Sequence, residues 1–75
     1  MCLTKARQRE MVLGILGEKG AVYWDVLQRY EQKKKDEEEI CQEVPLVSLI
    51  DSMVRNNDLA YEGNKLVVAR ANRKG

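Results

Sequence analysis

The chain has no histidine, no phenylalanine, one tryptophan and two cysteines. Two thiols without an imidazole cannot complete the four Cys/His ligands of a structural zinc site, so neither a metal nor a cofactor is expected. Catalysis is not expected either. There is no glycine-rich phosphate loop or nucleophile motif, and the carboxylates crowd into a polar run where no apolar setting would perturb them. With no phenylalanine available, Tyr23, Trp24, Tyr30 and Tyr61 are predicted to supply core bulk rather than a base-stacking platform, with Trp24 packed beneath a C-terminal hairpin.

Long apolar runs are missing as well. Lys5, Arg7, Arg9 and Glu10 interrupt the first twenty residues, where a signal peptide would need an unbroken apolar stretch. No segment approaches the roughly 20 apolar residues of a membrane span. The expectation is a soluble cytoplasmic protein, and 75 residues suffice for one domain with one modest core. Cys2 and Cys41 are read first as free thiols, as is usual for an intracellular chain. An intrachain bond and an intermolecular bond through Cys2 are the alternatives, since intracellular disulfides occur in hyperthermophiles, whose proteins are also rich in Lys and Glu.

A net charge of +1 conceals strong segregation. Residues 1–35 carry eight Lys/Arg against four Asp/Glu, residues 36–62 carry one against eight, and residues 63–75 carry four against none. The distribution matters more than the sum, because attraction to phosphate is local and screened beyond about 8 Å.

Thr4 can cap a first helix over about Lys5 to Glu18, with Val12, Leu13, Ile15 and Leu16 as its apolar side and Gly17 and Gly20 ending it. Ala21 to Trp24 reads as a short strand, and a second helix starts at or beside Asp25 with Val26, Leu27 and Tyr30 on one side. Glu31 to Glu39 loses all apolar periodicity. Lys33, Lys34 and Lys35 precede Glu37, Glu38 and Glu39 by four residues, which permits a solvated helix extension, while the lack of packing permits a charged loop. Pro45 suits the first turn of a third helix, in which Leu46, Leu49, Ile50, Met53 and Val54 share a face, while Val47 and Val54 at its margins are candidates for a dimer contact. Asn56 and Asn57 stop it. Strands over Leu59 to Tyr61 and Leu66 to Arg70 then pair around Gly63 and Asn64, and Ala71 to Gly75 forms a basic tail.

This order, and above all LIDSMVRNNDLAYEGNKLVVA from Leu49 to Ala69, resembles the last helix and wing of a winged helix-turn-helix DNA-binding domain. The resemblance spans about residues 4–70. Small size, Lys/Glu richness and paired cysteines are also similar to small winged-helix proteins of crenarchaeal viruses. The resemblance implies an α+β fold of three helices with a small antiparallel sheet that includes a β-hairpin wing. It further implies that the Pro45–Asn56 helix is the recognition helix and Glu62–Lys65 the wing tip.

Mapped by facing, Val47, Ser48, Asp51, Ser52 and Arg55 look outward from that helix. The DNA-contact candidates are Ser48, Ser52 and Arg55 on the helix, Lys65 and Arg70 on the wing, and Arg73 and Lys74 in the tail. Lys5, Arg7 and Arg9 are further candidates for phosphate. The implied function is sequence-specific binding of double-stranded DNA by a small transcriptional regulator acting as a homodimer. The rival is a winged-helix protein-interaction module whose acidic block, Asp36, Glu37, Glu38, Glu39 and Glu43 with Asp51, docks on a basic partner. That block and the long Glu31–Val44 connection depart from the family pattern, and an ordered connection is predicted to project away from the core.

Overall fold

The computed structural model describes residues 2–38 and 41–69. Three helices and a three-stranded antiparallel sheet alternate along the chain, supplemented by one short parallel strand pair. In order these are β1 (Cys2–Leu3), α1 (Lys5–Leu16), β2 (Ala21–Val22), α2 (Tyr23–Asp36), β3 (Cys41–Gln42), α3 (Leu46–Arg55), β4 (Leu59–Glu62) and β5 (Lys65–Val68). The main sheet runs β2-β5-β4, so the strand between the first two helices lies against the return strand of the C-terminal hairpin.

Local chemistry explains each boundary. The Thr4 hydroxyl accepts from the Arg7 backbone N–H and caps α1. A second acceptor comes from far along the chain, where Glu43 Oε1 takes the Lys5 N–H at 2.7 Å. A carboxylate at this position also complements the positive end of the helix dipole. Helix α1 stops at Leu16, two residues before the expected end, because Gly17 turns into the left-handed region at φ 57°.

Helix α3 ends in a Schellman motif. Asn57 takes φ 67°, its N–H donates to the Val54 carbonyl, and the Asp58 N–H donates to that of Met53. The chain is thereby aimed straight into β4. Gly63 at φ 64° opens the Gly63–Asn64 turn, which sets Glu62 opposite Lys65.

The second helix differs from expectation. Tyr23 and Trp24 are its first turn, not the end of a strand, because Tyr23, Val26, Leu27 and Tyr30 form an i, i+3, i+4, i+7 stripe that faces the core. The charged run continues as helix through Asp36 and closes in a turn at Glu37 and Glu38, so the solvated extension is the alternative realised. Pro45 stands just outside α3 as its N-cap.

The core gathers Leu3, Met11, Val12, Leu16, Val26, Tyr30, Leu49, Ile50, Met53, Leu59 and Leu66. Aromatic bulk contributes less than predicted. Tyr30 is buried and Tyr23 packs against the core, but Trp24 and Tyr61 are exposed, and methionines fill the space between the aliphatic residues.

Gly20 seals the joint between α1 and the sheet at φ 78°, with the Leu66 carbonyl and Val67 Cγ1 directly over its Cα. Gly20→Ala is expected to cost about 2–4 kcal/mol, combining the left-handed backbone penalty with overpacking. Gly14, mid-helix with open space around it, should instead gain about 0.5–1 kcal/mol on replacement by alanine. Urea midpoints of the two variants should therefore move in opposite directions.

Candidate nucleic-acid interface

Of the predicted DNA-contact residues, Ser48 and Arg55 lie exposed on α3, and Ser52 beside them is half-buried. Together with Val47 and Asp51 they form the outer stripe of the helix, opposite the buried Leu46, Leu49, Ile50 and Met53. The stripe is nearly neutral, because Arg55 Nε reaches Asp51 Oδ2 at 3.2 Å. Both partners are solvent-exposed, so this i,i+4 pair holds by only about 0.3–0.5 kcal/mol and Arg55 can exchange it for another anion.

No side chain caps the first turn of α3. Its leading N–H groups remain available to an anionic group, reinforced by the helix dipole. Lys65 opens β5 at the tip of the hairpin and is exposed, as are Gly63 and Asn64. Arg70, Arg73 and Lys74 lie outside the described residues.

The basic residues of α1 are committed elsewhere. Arg7 pairs with Glu10 at 3.4 Å and with Glu37 at 2.9 Å, while Arg9 pairs with Asp58 at 2.9 Å. These contacts tie α1 to the turn after α2 and to the α3–β4 junction. Only Lys5 of that group has no ion pair among the described residues.

The acidic block is likewise partly spent. Glu37 holds Arg7, Glu43 caps α1, Asp36 accepts from Gln32 Nε2 at 3.0 Å, and Asp51 holds Arg55. Glu38 is exposed at φ 57°, and Glu39 lies outside the described residues. An unbroken acidic surface for a basic protein is therefore smaller than the count of carboxylates suggests.

The described end of the connection before α3, Cys41 to Val44, folds back against β1 and α1. Cys2 and Cys41 are joined by a disulfide, with Cα atoms 4.7 Å apart, which replaces the first reading of both as free thiols. Beside it, β1 and β3 pair in parallel, and the Glu43 N–H donates to the Leu3 carbonyl at 2.9 Å.

Gln8 then anchors the connection from inside. Although 0% exposed, it lies on the apolar side of α1. Its Nε2 donates to the Val44 carbonyl at 2.8 Å and to Tyr30 Oη at 2.9 Å, and its Oε1 accepts the Val44 N–H at 3.2 Å. Tyr30 Oη donates onward to Gln42 Oε1 at 2.9 Å. Burial raises the Tyr30 pKa, aided by nearby Glu31 and opposed by the Gln8 hydrogen bond, so the phenol stays neutral and able to donate. This network sets where α3 begins and hence how it is presented.

Sequence reasoning missed Gln8, although its place four residues before Val12 and eight before Leu16 puts it on their face. Trp24 was misplaced. It is 65% exposed and, with Leu27, Leu46 and Val47, lines an open groove of about 640 Å³ between α2 and the start of α3. A second cleft, of about 360 Å³, lies beside the Arg9–Asp58 pair at the α3–β4 junction. No protein-family model, no curated protein and no solved structure matches the chain.

Proposed function

We propose that this domain is a winged helix that binds double-stranded DNA as a homodimeric transcriptional regulator. The observation that carries the reading is the outer stripe of α3. Its Ser48 and Arg55 are exposed and Ser52 half-buried on a helix whose opposite face is entirely core, and that helix leads through a tight Asn stop into a hairpin tipped by Lys65. The β2-β5-β4 pairing supports the same architecture.

In this reading the uncapped start of α3 enters the major groove. Short hydroxyls at Ser48 and Ser52 approach base edges or phosphate, and Asp51 can accept from a cytosine amino group. Lys65, with Arg70, Arg73 and Lys74, holds the backbone. The reading also places the protein in the cytoplasm. A persistent Cys2–Cys41 bond fits that compartment only in a hyperthermophile, in keeping with the proposed likeness to crenarchaeal viral proteins.

Lys65→Ala should weaken binding to every duplex alike and reduce the slope of log K against log salt by about 0.9, the signature of one lost phosphate contact. Fluorescence anisotropy at several salt concentrations reads both quantities. An unchanged slope would remove the wing tip from the interface.

A further inference from the structure

We infer that the outer face of α2 is the surface on which two copies of this chain pair. Helix α2 turns Tyr23, Val26, Leu27 and Tyr30 toward the core. Beside that face, along the groove toward the start of α3, runs a stripe of Trp24, Gln28, Glu31 and Lys35, every one of them exposed. Trp24 is the most exposed large apolar residue described, at 65%, and Val47, at the far wall of the same groove, is 59% exposed. Open apolar surface of this kind, rimmed by polar groups, is characteristic of a protein contact.

The order of the stripe selects a second copy as the occupant. Its intervals are four, three and four residues, so its spacing is the same from either end and an antiparallel copy sets Trp24 against Lys35 and Gln28 against Glu31. An isologous contact requires such self-complementarity, because residue i must meet residue j while j meets i. When two α2 helices lie antiparallel about a two-fold axis between Gln28 and Glu31, each Trp24 meets Lys35 of the other copy and each Gln28 meets Glu31.

Both rungs are chemically matched. An ammonium over an indole face is a favourable cation–π pair, and a carboxamide N–H₂ donates to a carboxylate. Glu31 spends only Oε2 on a 3.7 Å pair with Lys34, leaving its other oxygen for Gln28. The opposite arrangement, parallel and in register, would stack Lys35 on Lys35 and Glu31 on Glu31. Charge therefore favours the antiparallel arrangement over the parallel one.

This surface supplies the contact that the homodimer in the proposed function requires, but it is tested without DNA, so either can fail alone. Sedimentation equilibrium over a wide concentration range should show a species of twice the 8.6 kDa chain mass. Trp24 is the only tryptophan, so its emission should shift to shorter wavelength as the dimer forms. Trp24→Ser and Lys35→Glu change exposed residues and should keep the wild-type circular dichroism, yet each should weaken dimerisation by about tenfold or more. A chain that stays monomeric with constant emission overturns the inference. So does a dimer that survives both substitutions, which would place the contact elsewhere.

Discussion

Gln8→Ala is expected to lower the stability of the domain by about 3–5 kcal/mol, an appreciable part of the roughly 5–15 kcal/mol that holds a small protein folded. Two costs add. Removing a side chain that is 0% exposed leaves a void next to Met11 and Val12. It also strips the Val44 N–H and carbonyl of the partner each has among the described residues and takes a donor from Tyr30 Oη. A fully buried group left unpaired costs about 1–3 kcal/mol, and the half-buried Val44 groups fall toward the lower end of that range. The connection 41–45 would then lose its hold on α1, and with it the fixed start of α3. Urea denaturation followed by circular dichroism measures the loss. A change below about 1 kcal/mol would mean that the amide is dispensable and that apolar packing alone seats the connection.

Reducing the Cys2–Cys41 bond is expected to cost about 3–4 kcal/mol. The bond closes a loop spanning 39 residues, and freeing that loop restores chain entropy to the unfolded state. It also releases β1 from β3, beside the Glu43–Leu3 and Glu43–Lys5 hydrogen bonds that hold the start of α1. Because the bond and Gln8 secure the same connection from its two sides, losing both should cost less than the sum of the single losses. Urea midpoints with and without a phosphine reductant give the value. If two thiols titrate in the untreated folded protein and the midpoint does not respond to reductant, the bond is absent.

Much of the fold was legible in the chain because periodicity and punctuation agreed. The Leu46–Leu49–Ile50–Met53 stripe, the Asn56–Asn57 stop and the Gly63–Asn64 turn each carry local chemistry that tertiary context did not override. The Thr4 cap is of the same kind. Ala21 to Trp24 misled because Val, Tyr and Trp favour strands intrinsically, whereas the decisive signal was the helical spacing that begins at Tyr23. Trp24 consequently moved from an expected core position to the surface.

What could not be read were the long-range partners. That Glu43 caps a helix 38 residues earlier, that Arg7 and Arg9 pair with Glu37 and Asp58, and that Cys2 meets Cys41 all depend on how the connection folds back over α1. Nothing local in the sequence encodes those encounters. They also alter the electrostatic picture of the candidate site. The segregated charge blocks partly neutralise one another in the fold, and among the described residues Lys5, Lys19, Lys33, Lys35 and Lys65 stand outside its ion pairs.

The proposal of DNA binding is tested most directly by titrating the oxidised protein into a labelled duplex of random sequence, with anisotropy read at low and at physiological salt. Micromolar or tighter binding at low salt that weakens steeply as salt rises is the expected result, since contacts to several phosphates each release counterions. No binding at low salt, where attraction to phosphate is strongest, would contradict it and leave α3 and the hairpin as surfaces for another protein.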